Sequence, residues 1–118
     1  MKIARIAVFV IAATIASNAW ASPTVDAKLK KAIEEAMGEK LSDPYSAKYT
    51  YDRVRKEDAR TGVVCGTVNA KNRFGAYVGK TVFVAIYAKA TDGGYMTTPD
   101  TMDGISISDH ILDKMCGP

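Results

Sequence analysis

The sequence predicts an α+β domain: an N-terminal helix packed on a small antiparallel sheet of three to four strands, with a short C-terminal helix tied on by a disulfide. Three observations predict it. An apolar stripe at helical spacing runs from Val25 to Leu41. Runs of β-branched and aromatic residues follow between Lys48 and Ala90, each bounded by turn residues. Two cysteines, Cys65 and Cys116, lie one in a strand-like run and one at the extreme C-terminus.

The helix is justified first. Val25, Leu29, Ala32, Ile33, Ala36, Met37 and Leu41 recur on one face with charges opposite. Ser22 or Thr24 is the expected cap. Gly38 weakens the last turn by about 1 kcal/mol relative to alanine, and Pro44 pushes Asp43 out of helical geometry. Asp43-Pro44-Tyr45-Ser46 then reads as a turn.

Strands are expected over Lys48–Lys56, Val63–Ala70 and Thr81–Ala90, with a polar turn from Glu57 to Gly62. Asp92-Gly93-Gly94 is a turn signal. A short fourth strand, Tyr95–Thr98, is expected to stop before Pro99. The segment SISDHILDKMCGP reads as a short helix capped by Ser108 and stopped by Gly117.

Alternation assigns faces. Val82, Val84, Ile86 and Ala88 share one face of the third strand, and Thr81, Phe83, Ala85 and Tyr87 the other. The N-terminal helix is expected on the purely aliphatic face. A Cys65–Cys116 bridge would then tie the C-terminal segment to the other face or to the sheet edge.

The first residues bear on location. Lys2 and Arg5 precede an apolar run from Ile6 to Ile15, and Ala19-Trp20-Ala21 supplies a small-x-small cleavage site. The run is shorter than the ~20 apolar residues a spanning helix needs. The expected organisation is a signal peptide over residues 1–21 and a single α+β domain over 22–118. The mature chain is expected to be periplasmic or secreted, with no membrane span once the signal is removed. Export to an oxidising compartment favours a disulfide between the two cysteines.

Charge narrows the partner classes. The chain holds 16 basic and 13 acidic residues. Lys2 and Arg5 leave with the signal, so the mature charge is 14 minus 13, or +1. That is no basis for a nucleic-acid partner, which calls for a markedly basic domain. The distribution says more than the sum. Residues 61–90 carry Lys71, Arg73, Lys80 and Lys89 with no acid, and residues 91–118 carry five aspartates against Lys114. Either the basic middle and the acidic tail complement each other within the fold, or they present opposite patches to a partner.

CGTVNAKNRFGAYVG, residues 65–79, is the densest stretch. GAYVGKT within it echoes a nucleotide-binding loop, but that motif needs four residues between its glycines and a helix after the lysine. Here there are three, and a strand-like run follows. The candidate binding residues are Asn69, Lys71, Asn72, Arg73, Phe74 and Tyr77: two amides, two cations and two stacking faces on a connection longer than the usual hairpin. The same residues have a structural use. Asparagines close local turns, glycines take positive φ, and aromatics pin a loop to the core. His110 is the only histidine and is expected at the surface or half-buried. A thiol enzyme would pair it with Cys65, but an exported chain with an even cysteine count points to a bridge. No metal or cofactor site is expected, since the CxxC spacing of a metal site is missing.

DPYSAKY (43–49), followed by VVCGTVNAKNRFGAYVG (63–79), resembles a family of small exported bacterial proteins with a DPxSA…CGxVNAKNxxGxYxG pattern. The likeness covers residues 41–83. It implies a bacterial envelope or secreted protein and carries no assigned activity. The order of helix and antiparallel strands also resembles cystatin-like and other small inhibitor folds, an analogy of fold only. The expected function is a non-catalytic exported binding or interaction domain of the bacterial envelope, whose partner is a protein or envelope component. A small structural envelope protein and a thiol-dependent enzyme built on Cys65 and His110 are the alternatives.

Overall fold

The computed structural model describes residues 25–102 and 108–118. The expected signal segment and the two cap candidates Ser22 and Thr24 lie outside the described residues. Helix α1 spans Ala27–Gly38, β1 Lys48–Lys56, β2 Thr61–Asn69, β3 Thr81–Lys89, β4 Tyr95–Thr101 and α2 Asp109–Cys116. A single turn of 3-10 helix, Pro44–Ser46, sits between α1 and β1. The strands form one antiparallel sheet in the order β1-β2-β3-β4. The predicted α+β class is what the chain adopts.

Asp26 starts α1: its side chain accepts the Leu29 backbone N–H at 2.8 Å, satisfying one of the donors a helix start leaves open. Side chains also close both tight hairpins. Asp58 accepts the N–H groups of Arg60 and Thr61 at 2.8 Å each, and Asp92 accepts that of Gly94 at 2.8 Å. Ser108 stands at the N-cap of α2 without a side-chain cap bond, and Gly117 ends that helix as expected.

The face assignment is corrected. Helix α1 buries Leu29, Ile33 and Met37 against Val64, Val68, Phe83, Ala85 and Tyr87, which is the aromatic face of β3. The pairing register gives the reason. Cys65 lies opposite Val84 and Val64 opposite Ala85, and directly opposed residues share a face. The bridge to Cys116 therefore places α2 on the aliphatic face, with Val63, Cys65, Val84 and Cys116 buried together. Rings from two strands fill the depth beneath α1. Tyr49 and Tyr51 meet Phe83 edge-on, with centroids 6.1 and 5.9 Å apart.

Gly66 makes that aromatic cluster possible. A Cβ there would lie 1.8 Å from the Thr50 carbonyl oxygen and 2.9 Å from the Phe83 ring. A β-bulge between Tyr51 and Arg53 lies next to this close approach. The bulge also changes parity along β1. Tyr49 and Tyr51 pair with Val68 and Gly66 on the α1 side, and beyond the bulge Val54 pairs with Val64 on that same side. Arg53 and Arg55 are thereby turned towards α2. There Arg53 pairs with Asp113, and Arg55 donates to the Lys114 carbonyl at 3.0 Å.

Four strand limits differ from expectation, that of β3 by one residue, since it ends at Lys89. β2 begins at Thr61 and ends at Asn69, because Asp58 closes the β1–β2 turn early enough for Thr61 and Gly62 to pair with Ala88 and Tyr87. β4 runs through Pro99 to Thr101. It is an edge strand, where proline's missing N–H costs no ladder bond if it faces away from the sheet, and Pro99 pairs with Ala85.

Candidate functional site

The β2–β3 connection, residues 70–80, leaves the sheet at the end where β1 starts and β4 finishes. Its shape comes from Asn72. The Asn72 side-chain oxygen accepts the N–H groups of Phe74 and Ala76 at 2.9 and 3.2 Å, while its backbone N–H donates to the Ala76 carbonyl at 2.9 Å. Gly75 completes the turn at φ 79°, a conformation that suits glycine. Lys71 and Tyr77 bridge the two arms. This is a structured turn with a defined tip.

Ser46 fastens it from outside. The Ser46 hydroxyl oxygen accepts the Lys71 backbone N–H at 2.8 Å, and its carbonyl accepts the Tyr77 hydroxyl at 2.9 Å. The Ser46 hydroxyl in turn donates to the Asp43 carbonyl at 2.8 Å. Segments 43–49 and 63–79, far apart in sequence, therefore meet at Ser46 as well as through the Lys48–Asn69 and Tyr49–Val68 strand pairs. The Tyr77 ring carries two ammonium groups, Lys48 at 4.7 Å and Lys71 at 5.6 Å from its centroid, within cation–π range.

The six candidate binding residues divide into distinct roles. Asn69 is the last residue of β2, and its buried side-chain oxygen has no hydrogen-bond partner among the described residues. Asn72 is used internally. Tyr77 is pinned to Ser46 and keeps 41% exposure. Phe74 is not pinned to the core: it is 94% exposed at the tip. Arg73 is exposed beside it. The site therefore gathers Lys71, Arg73, Phe74 and Tyr77.

Three neighbours escaped the sequence reading. Tyr45 is 100% and Val78 72% exposed, and Lys48 shares the Tyr77 ring. Tyr45 was legible only as a turn residue. Its place beside Ser46, and hence beside the loop, needs the Lys71 and Tyr77 contacts. A cleft of about 230 Å³ flanks the loop, lined in part by Leu41, Val68, Lys71, Val78 and Thr81. Lys40 on its rim is committed to the Pro99 carbonyl at 2.6 Å and to Asp100 at 3.6 Å.

The charge alternative resolves in part. The acidic tail does meet cations, but they are Lys40 and Arg53, which precede β2 in the chain. Among the described residues, no ion pair joins the cations of residues 61–90 to an acid. Lys89 lies over the Tyr95 ring at the opposite end of the sheet. Among the described residues, the loop cations therefore form no ion pair with an acid.

Cys65 and Cys116 are bonded to each other, with Cα atoms 5.8 Å apart. His110 is exposed on α2. A thiol nucleophile at Cys65 would require that bridge to be opened. Among the described residues, no three His, Cys, Asp or Glu side chains gather as a metal-ligand set, and no helix is long and apolar enough to cross a membrane. Comparison with family models, curated proteins and solved structures found no match.

Proposed function

We propose that this chain is an exported, non-catalytic binding domain of the bacterial envelope, and that it engages its partner through the turn at residues 69–79. The observation that carries the reading is Phe74, held 94% exposed on a turn that Asn72 and Ser46 fix in place. Here the turn is built to hold it outward, beside Arg73 and Lys71. A single exposed apolar residue needs no explanation, but Arg73, Phe74 and Tyr77 on one fixed turn are residue types enriched at contact surfaces. The Cys65–Cys116 bridge suits an oxidising compartment, and so supports periplasmic or secreted placement, as does the leader-like N-terminus.

The test is affinity capture from a bacterial envelope extract, comparing the native protein with a Lys71→Ala, Arg73→Ala, Tyr77→Ala variant. Loss of specific partners with the variant is the expected outcome. Identical capture profiles would remove the loop from the function. An envelope that weakens on deletion, with no specific partner captured, would instead favour a structural role.

A further inference from the structure

The contact surface has a chemistry of its own. Tyr45, Phe74 and Val78 are 100%, 94% and 72% exposed, and all three belong to the segments joined at Ser46. Lys48, Lys71, Arg73 and Lys80 lie in the same segments, and Asp43, half-buried, is the one acid in residues 43–49 and 70–80. Among the described residues, neither Tyr45 nor Phe74 stacks on another ring. Each is exposed, with no aromatic neighbour in contact among the described residues.

We infer, on the basis of the binding reading just given, that the partner of this end of the molecule is an anionic bilayer surface. Phe74, Tyr45 and Val78 enter the interfacial layer while Lys48, Lys71, Arg73 and Lys80 meet acidic headgroups. A protein partner would have to supply a shaped pocket for each separate ring. A fluid interface takes protruding side chains without shape matching; tyrosine is favoured at its headgroup level and phenylalanine at the boundary with the acyl chains. Cations close to such a surface each add attraction that fades within a Debye length. The lysine stems can lie along the apolar boundary with their ammonium groups in the headgroup layer. The fixed turn adds to this, since little ordering remains to be done on contact.

The test is co-sedimentation with vesicles of phosphatidylglycerol mixed with phosphatidylethanolamine, and separately with phosphatidylcholine alone. It uses the chain as recovered from the expressing cell, its N-terminus read by mass spectrometry. Every variant carries the same N-terminus, so differences between variants report the loop. The protein should sediment with the anionic vesicles and stay in solution with phosphatidylcholine, and salt should release it. Phe74→Ala should weaken partition by about ten-fold or more, and Arg73→Ala by about five-fold. Lys28→Ala, an exposed cation on α1, should leave it unchanged. Both loop side chains are exposed, so urea midpoints should match and folding is not confounded.

Equal sedimentation with both vesicle types, or anionic binding indifferent to Phe74 and Arg73, would overturn the bilayer assignment. Loop-dependent capture of an envelope protein or glycan without vesicle binding would overturn it too, leaving the binding reading standing. Failure of both vesicle binding and loop-dependent capture would end both.

Discussion

Tyr77 donates its hydroxyl hydrogen to the carbonyl of Ser46 at 2.9 Å, across 31 residues of sequence. With the Lys71 N–H on the Ser46 hydroxyl, this contact determines where the loop points. Tyr77→Phe keeps the ring and its two ammonium neighbours and deletes one bond. Stability should fall by only about 0.5–1.5 kcal/mol. Amide hydrogen exchange over residues 71–77 should speed up, while that of β2 and β3 stays slow. Unchanged exchange would mean that Asn72 alone holds the turn.

Gly66→Ala should be among the most damaging small substitutions in the chain. The added methyl meets the Thr50 backbone at 1.8 Å, which a side-chain rotation cannot relieve. Overpacking typically costs about 1–3 kcal/mol and sometimes more, so the urea midpoint should drop sharply. Gly75→Ala, with open space around it but φ at 79°, should cost less. A reversed order would contradict the aromatic cluster described for β1 and β3.

The bridge joins positions 51 residues apart. Cys116→Ser with Cys65→Ser should destabilise by about 4 kcal/mol on the loop-entropy model, a large share of a small domain's margin of about 5–15 kcal/mol. Helix α2 should loosen first, since Arg53 and Arg55 are then its main remaining polar ties to the sheet. Urea titration with exchange over residues 109–117 measures both effects.

Asp26 caps α1 and also accepts the Tyr95 hydroxyl hydrogen from β4. The Tyr95 hydroxyl first, and the Leu29 N–H next, hold its carboxyl below the usual range. A depressed folded-state pKa contributes stability above the unfolded value, and that stability is lost as pH falls through the folded one. The same bond pushes Tyr95 up to about 12. Its contribution is intact below the ordinary tyrosine value of about 10 and lost as pH rises towards 12. Asp26 is exposed, so solvent screening makes the acid effect small. Asp26→Asn should flatten the acid limb below about pH 4 and lower the Tyr95 titration midpoint. A midpoint that stays near 12 in the variant would contradict the pairing.

Much of the fold was legible because local rules and tertiary needs agreed. The stripe from Val25 to Met37, the turn at Asp92 and the stop at Gly117 each follow from one segment. The wrong face for α1 came from a quantity no segment contains. Alternation divides β3 into two faces, but only the pairing of Cys65 with Val84 says which face the bridge serves. The bulge at Asp52 hid Val54 for a related reason, since strict alternation puts it opposite Tyr49 and Tyr51. Pro99 argued against a strand only until β4 proved to be an edge. At the loop, residue types pointed to Lys71, Arg73, Phe74 and Tyr77. They could not show that Asn72 is consumed within the turn, or that Tyr45 arrives from another segment.

The central claim is that the turn around Phe74 is where this protein meets its partner. A photo-reactive aromatic residue placed at position 74, and in a second protein at exposed Glu35 on α1, tests it in intact envelopes. Irradiation should give discrete lipid or macromolecular adducts from position 74 and none from position 35. Adducts of equal yield from both positions, or from neither, would contradict it.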